Sequence, residues 1–220
     1  MYWLADLSAR RLLNRVHHVM YDSSIQSTRR SATANATGQF PRSIASVLQI
    51  STELNHQLSS WYDLLPQSIK PDLENYDNHA WTLDEVIILQ RFHAAGEIIF
   101  RPFFYHVCAL PADTVVPLFM TENCSMCIHH CRQFLSLVDR RLEIPSASTE
   151  IVLHSTLAVT IILTLASISP LLKHLVPDIE ELERNAAGFF HKWAFPGSSV
   201  ESMLAIATTM SMKRTLVGDD

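Results

Sequence analysis

The stretch CSMCIHHC, residues 124–131, holds three of the chain's four cysteines and two histidines. Its reading decides between a domain built around a metal and a domain built around an apolar helix. At about 100° per residue, Met120, Cys124, Cys127, Cys131, Phe134, Leu135, Val138 and Leu142 fall on one face. His129, Gln133, Ser136 and Arg140 fall on the opposite face. The cysteines therefore continue an apolar stripe. On a helix, Cys124 and Cys131 are roughly 10 Å apart along the axis. Two thiolates on one zinc must come within about 4 Å, given Zn–S bonds of about 2.3 Å. No Gly or Pro occurs over 120–142 to break the helix. The haem signature Cys-x-x-Cys-His also fails, because Ile128 follows Cys127. The cysteines read as small core hydrophobes, with no metal ligand among them.

Helical periodicity extends outward from this segment. Leu4, Leu7, Ala9, Leu12, Leu13, Val16 and Met20 give an N-terminal amphipathic helix within 1–22. Residues 23–43 are polar and rich in Ser, Thr and Ala, and read as a loop or insertion. A second helix is expected over 44–64, ended by Pro66. Residues 67–80 read as a connector. Thr82 and Glu85 form a capping-box pattern that opens a helix, expected to end or kink at Pro102. One helix is expected over 116–143 and a very apolar one over 150–169, before Pro170. Pro177–Asp178 fits a helix start, with Asp178, Glu180 and Glu181 near the positive end of its dipole. Ser198 and Glu201 repeat the capping pattern ahead of the last helix. No segment alternates like a strand. The expected fold is all-α, a multi-helix bundle of about seven helices.

Composition narrows the function classes. The chain has 220 residues, 48% hydrophobic and 18% charged, with a net charge of −5. An acidic balance and scattered basic pairs give no electrostatic footprint for nucleic acid. Five glycines and no Gly-x-Gly-x-x-Gly or P-loop argue against nucleotide folds. Three clustered cysteines do not make a secreted disulfide framework. The N-terminus lacks the apolar core and cleavage site of a signal peptide.

Other candidate chemistry is thin. His93 and Glu97 share a helix face at i and i+4, which suits an intrahelical hydrogen bond. A dimetal site would need further carboxylates at matching spacing on facing helices. Gly-x-Ser-x-Gly and His-Glu-x-x-His are absent. The sequence offers no catalytic, cofactor-binding or metal-binding residue, and the expectation is that the chain is not an enzyme. Residues 151–172 carry no charge and are long enough to span a bilayer. They also hold His154, five Ser or Thr by position 167, and Pro170, with no aromatic belt or flanking basic cluster. A helix buried all round in a bundle fits better than a membrane span.

Two stretches together resemble a known family. LSSWYDLLPQSI (58–69) carries Leu58, Trp61, Leu65 and Pro66. It resembles the Leu-x-x-Trp-x-x-x-Leu-Pro element of the fungal-specific transcription factor regulatory domain, the middle homology region of binuclear zinc-cluster activators. LQRFHAAGEIIFRPFF (89–104) resembles that family's hallmark helix through Leu89, Phe92, His93, Ala95, Ile98, Ile99, Arg101, Pro102 and Phe103. Gly96 and Glu97 depart from the aliphatic residues common there. The cysteine helix and the apolar helix fit the next two slots, so the resemblance covers about residues 44–170.

The resemblance implies a helical regulatory domain over 44–215, without catalysis, in a nuclear transcription factor controlling RNA polymerase II transcription. Trp61, Leu65, Pro66, His93, Arg101, Pro102 and Phe103 would be its structural signature. It implies protein partners in the transcription machinery or a co-regulator, and a small-molecule effector. The family's DNA contacts come from an N-terminal six-cysteine cluster with two zinc ions, which this sequence does not contain. The expectation is therefore a chain without direct specific DNA binding and without a cofactor of its own, the C-terminal part of a factor, a truncated gene model, or a paralogue that lost its DNA-binding end. Two other classes stay open: a helical small-ligand-binding protein or enzyme, and a helical protein membrane-associated through 151–172.

Overall fold

The computed structural model describes residues 1–22, 44–73 and 81–218. The polar segment expected over 23–43, and 74–80 of the expected connector, lie outside the described residues. Among the described residues the chain is all-α, with eight α-helices, a π-helical segment and one 3-10 turn, and no strand. It divides into two compact units, Met1–Pro102 and Phe103–Asp220.

In the first unit, α1 (Tyr2–His17) passes into the π-helical segment His18–Asp22. α2 spans Ile44–Asp63, and α3 spans Leu83–Cys108. Ala5 of α1, Ile88 of α3, and Leu65 and Ile69 just after α2 form one buried cluster, with Tyr2, Trp61 and Tyr62 packed against it. Polar bonds tie the helices together. Trp61 Nε1–H donates to Ser8 Oγ at 2.9 Å, and Arg91 Nε–H donates to Asp6 Oδ1 at 3.1 Å. Ser51, itself buried, donates to the Ile99 carbonyl at 3.2 Å. α3 opens on the expected capping box. The Thr82 amide donates to Glu85 Oε2 at 2.9 Å, and the Glu85 amide donates to Thr82 Oγ1 at 3.3 Å.

α3 does not end at Pro102. Contrary to the sequence expectation, it carries Pro102 in its interior and runs on to Cys108. A proline inside a helix removes one backbone bond and crowds the preceding turn, at about 3 kcal/mol or more. Phe103, Phe104 and Val107, all buried in the second unit, follow it within two turns. Burying large side chains of this kind stabilises by about 1.5–3 kcal/mol each, enough to offset the proline.

The second unit contains α4 (Leu118–Ser136), the single turn α5 (Val138–Arg141), α6 (Thr149–Ile168), the 3-10 turn Lys173–Leu175, α7 (Ile179–Trp193) and α8 (Ser199–Gly218). The single helix expected over 116–143 is interrupted at Leu137. There the amide reaches back only three residues, to the Phe134 carbonyl at 3.3 Å. This tighter turn adjusts the phase, and Leu137, Val138 and Leu142 all point into the core.

α6 is the hub of this unit and packs against α4, α7 and α8. It is long and apolar enough to cross a bilayer, with a mean hydropathy of 2.1 over its most apolar 18-residue window, half of which is buried here. Its buried hydroxyls all have acceptors. Thr156 donates to the Val152 carbonyl and Thr160 to the Thr156 carbonyl, both at 2.8 Å, and Thr164 donates to Glu183 Oε1 at 2.9 Å.

α7 begins after Asp178, whose carboxylate takes both Nη groups of Arg132 on α4. These bonds hold its carboxyl below the usual carboxylate range. Asp178, expected near the positive end of the helix dipole, also joins two helices. α8 starts at the second capping box, where the Glu201 amide donates to Ser198 Oγ at 3.1 Å. The Glu201 carboxylate accepts the Gly197 amide at 2.8 Å, and Gly197 sits at φ 80°, a conformation that glycine tolerates best.

Candidate functional site

The signature residues of the first unit have structural surroundings. Trp61, on the last turn of α2, lies half-buried against the Ala5–Leu65–Ile69–Ile88 cluster. Leu65 is in that cluster, while Pro66 is exposed and offers its carbonyl to the amides of Ile69 (2.9 Å) and Lys70 (3.0 Å). His93 is 2% exposed on α3, edge-on to its neighbour Phe92 with ring centroids 5.3 Å apart. Arg101 donates through Nε and Nη2 to the two carboxylate oxygens of Glu97, each at 2.5 Å. Its guanidinium also lies over the Tyr21 ring, 5.8 Å from the centroid. Glu97 is 4% exposed, so Arg101 neutralises a buried charge one helical turn away. The sequence reading named His93 as the i, i+4 partner of Glu97 and missed the i, i+4 pairing with Arg101. Pro102 closes the first unit and Phe103, buried, opens the second.

In the second unit, every residue assigned to the cysteine stripe is buried, including Cys124, Cys127 and Cys131. The Cys127 and Cys131 sulfurs, one turn apart, lie within 4.8 Å of each other, and no disulfide forms among the described residues. Burial pushes the Cys124 thiol up to about 12 and the Cys108 thiol up to about 11, with neighbouring cysteines adding to both shifts. Thiols shifted this far are protonated at neutral pH, which makes Cys124 and Cys108 weak nucleophiles. His130 is buried on the same helix, and desolvation lowers its pKa to about 3, with a smaller contribution from His129. Sequence reasoning passed over His130, although it lies three residues after Cys127 and four before Phe134, on the buried side.

Glu183 was missed as well. It is 6% exposed and joins three helices, accepting from Thr164 Oγ1 on α6 (2.9 Å) and Ser211 Oγ on α8 (2.6 Å). Arg214 Nε–H, also on α8, donates to both its oxygens at 3.2 and 3.1 Å. The signal was present in the sequence. Ile179, Glu183, Ala186 and Phe190 recur at helical spacing, so Glu183 sits on the apolar face of α7. A cavity of about 380 Å³ opens between α7 and α8 beside this carboxylate, lined in part by Glu180, Arg184, Thr208, Ser211, Arg214 and Thr215.

The described residues thus define an all-α protein with a hydrogen-bonded polar cluster inside the second unit and with Trp61, Leu65, His93 and Arg101 of the signature held in the first. Comparison of the chain with protein-family models, curated proteins and solved structures finds no match.

Proposed function

We propose that the chain is a regulatory and interaction module of a fungal-type transcription factor, acting in the nucleus through protein partners of the transcription machinery. The observation that carries this reading is the setting of the signature residues. Trp61 and Leu65 pack in a core, His93 is buried, and Arg101 neutralises the buried Glu97. Such residues maintain a fold, as a signature without catalysis does. The net charge of −5 supports the view that the chain does not itself read a DNA sequence. The packing of α6 against three helices supports a core helix over a membrane span.

The test is a fusion of the chain to a heterologous DNA-binding domain driving a reporter. The intact chain should alter reporter output. Thr160→Asp places an unpaired charge at a buried position of α6 and should abolish that regulation by unfolding the second unit. Identical output from the two fusions, or a specific promoter fragment shifted by the isolated chain at physiological salt, would defeat the proposal. A second reading, a helical protein that binds a small ligand, is favoured by the cavity between α7 and α8.

A further inference from the structure

The cavity between α7 and α8 has a defined chemistry. Its volume of about 380 Å³ lies at the small end of ligand sites, which run about 300–1,000 Å³. Arg214 reaches it already oriented, because its Nε–H is bonded to the buried Glu183. Its Nη groups have no partner among the described residues, so a fixed guanidinium edge is left over. Arg184 lines the same cavity and forms no hydrogen bond or ion pair among the described residues. Two guanidinium groups at one small cavity suit a carboxylate, which they bind through paired charge-assisted bonds.

The hydroxyls specify the rest of the ligand. Thr208 gives its proton to the Leu204 carbonyl (2.8 Å), Ser211 to Glu183 (2.6 Å) and Thr215 to the Ser211 carbonyl (3.0 Å). All three oxygens therefore present lone pairs and no proton. Glu180, exposed at the start of α7, adds a carboxylate acceptor to the rim. A plain carboxylate would satisfy the arginines and leave these acceptors unmatched.

We infer that this cavity binds a small acid carrying both a carboxylate and a hydrogen-bond-donating group, an amino acid or a 2-hydroxy acid. The carboxylate sits on Arg214 and Arg184, and the ammonium or hydroxyl donates to the threonine and serine oxygens. The ammonium form gains the Glu180 carboxylate as well. This goes beyond the regulatory reading and does not depend on it, since binding is measured on the purified chain with no reporter.

The experiment is a thermal-shift screen of the full chain, confirmed by calorimetry. The probes are the L-amino acids and their 2-hydroxy-acid counterparts at millimolar concentration. Each hit is compared with its matched acid lacking the amino or hydroxyl group and with its counterpart lacking the carboxylate, the amine or the alcohol. At least one amino or hydroxy acid should raise the melting temperature, and both matched controls should bind at least about tenfold more weakly. Arg184→Gln, which removes no bond seen among the described residues, should leave the unliganded melting temperature unchanged and weaken the hit by about tenfold. Stronger binding by the amino acid assigns Glu180 a role, and Glu180→Gln should then erase that preference. The inference is overturned if no probe of either series binds, if the matched plain acid binds as well as the hit, or if Arg184→Gln binds like the parent.

Discussion

Replacing Glu183 with alanine tests the polar cluster of the second unit most directly. The side chain is 6% exposed and accepts from Thr164, Ser211 and Arg214. Its removal leaves three donors to be accommodated. Breaking a buried pair by deleting one partner costs about 3–5 kcal/mol when the remaining charge stays buried. Arg214 retains 15% side-chain exposure, so its guanidinium turns partly to water and the cost falls toward the lower end. The Thr164 hydroxyl loses a buried acceptor, a penalty of about 1–3 kcal/mol if nothing replaces it. A replacement exists, because Thr160 and Thr156, one and two turns earlier, already bond the carbonyl four residues back. The expected destabilisation is therefore about 3 kcal/mol for Glu183→Ala. Glu183→Gln keeps an acceptor and the volume, and should cost about 1–2 kcal/mol. Urea unfolding followed by circular dichroism measures the totals, and amide exchange localises the loss to α6, α7 and α8. Arg214→Met closes a double-mutant cycle, in which the two losses should be strongly non-additive. Additive losses, or a Glu183→Ala cost below about 1 kcal/mol, would refute the reasoning.

Three further outcomes follow from other positions. Arg101→Ala strips the counterion from the buried Glu97 and should destabilise by about 1–3 kcal/mol, so an unchanged melting temperature would deny Arg101 its structural role. His130 is neutral in the fold, with its pKa lowered from 6.5 to about 3. Its contribution to stability is complete above pH 6.5 and declines as pH falls toward about 3, because the unfolded chain takes up the proton first. Urea midpoints across that window should fall with pH, less steeply in His130→Leu, and an imidazole NMR titration near 6.5 for His130 would contradict this. The purified chain should hold well under one zinc or iron per molecule by elemental analysis, because Cys124 and Cys131 are about two turns apart and the Cys124 thiol is pushed up to about 12.

Local chemistry was legible in the sequence wherever it rests on short-range pattern. The capping boxes at Thr82–Glu85 and Ser198–Glu201, the cysteine stripe and the apolar α6 all follow from spacing alone. A helix's own periodicity fixes which residues must be buried together. The partners of the buried polar groups were not legible. Arg132 meets Asp178 across 46 residues, and Glu183 collects Thr164, Ser211 and Arg214 from two other helices. Spacing shows that Glu183 faces inward, but only packing decides which donors meet it there. Pro102 is the clearest case. Its backbone chemistry alone argues for a helix end, and the burial of Phe103, Phe104 and Val107 beyond it carries α3 through. Sequence settles what each residue prefers locally, and tertiary structure decides where the burial of distant side chains outweighs that preference.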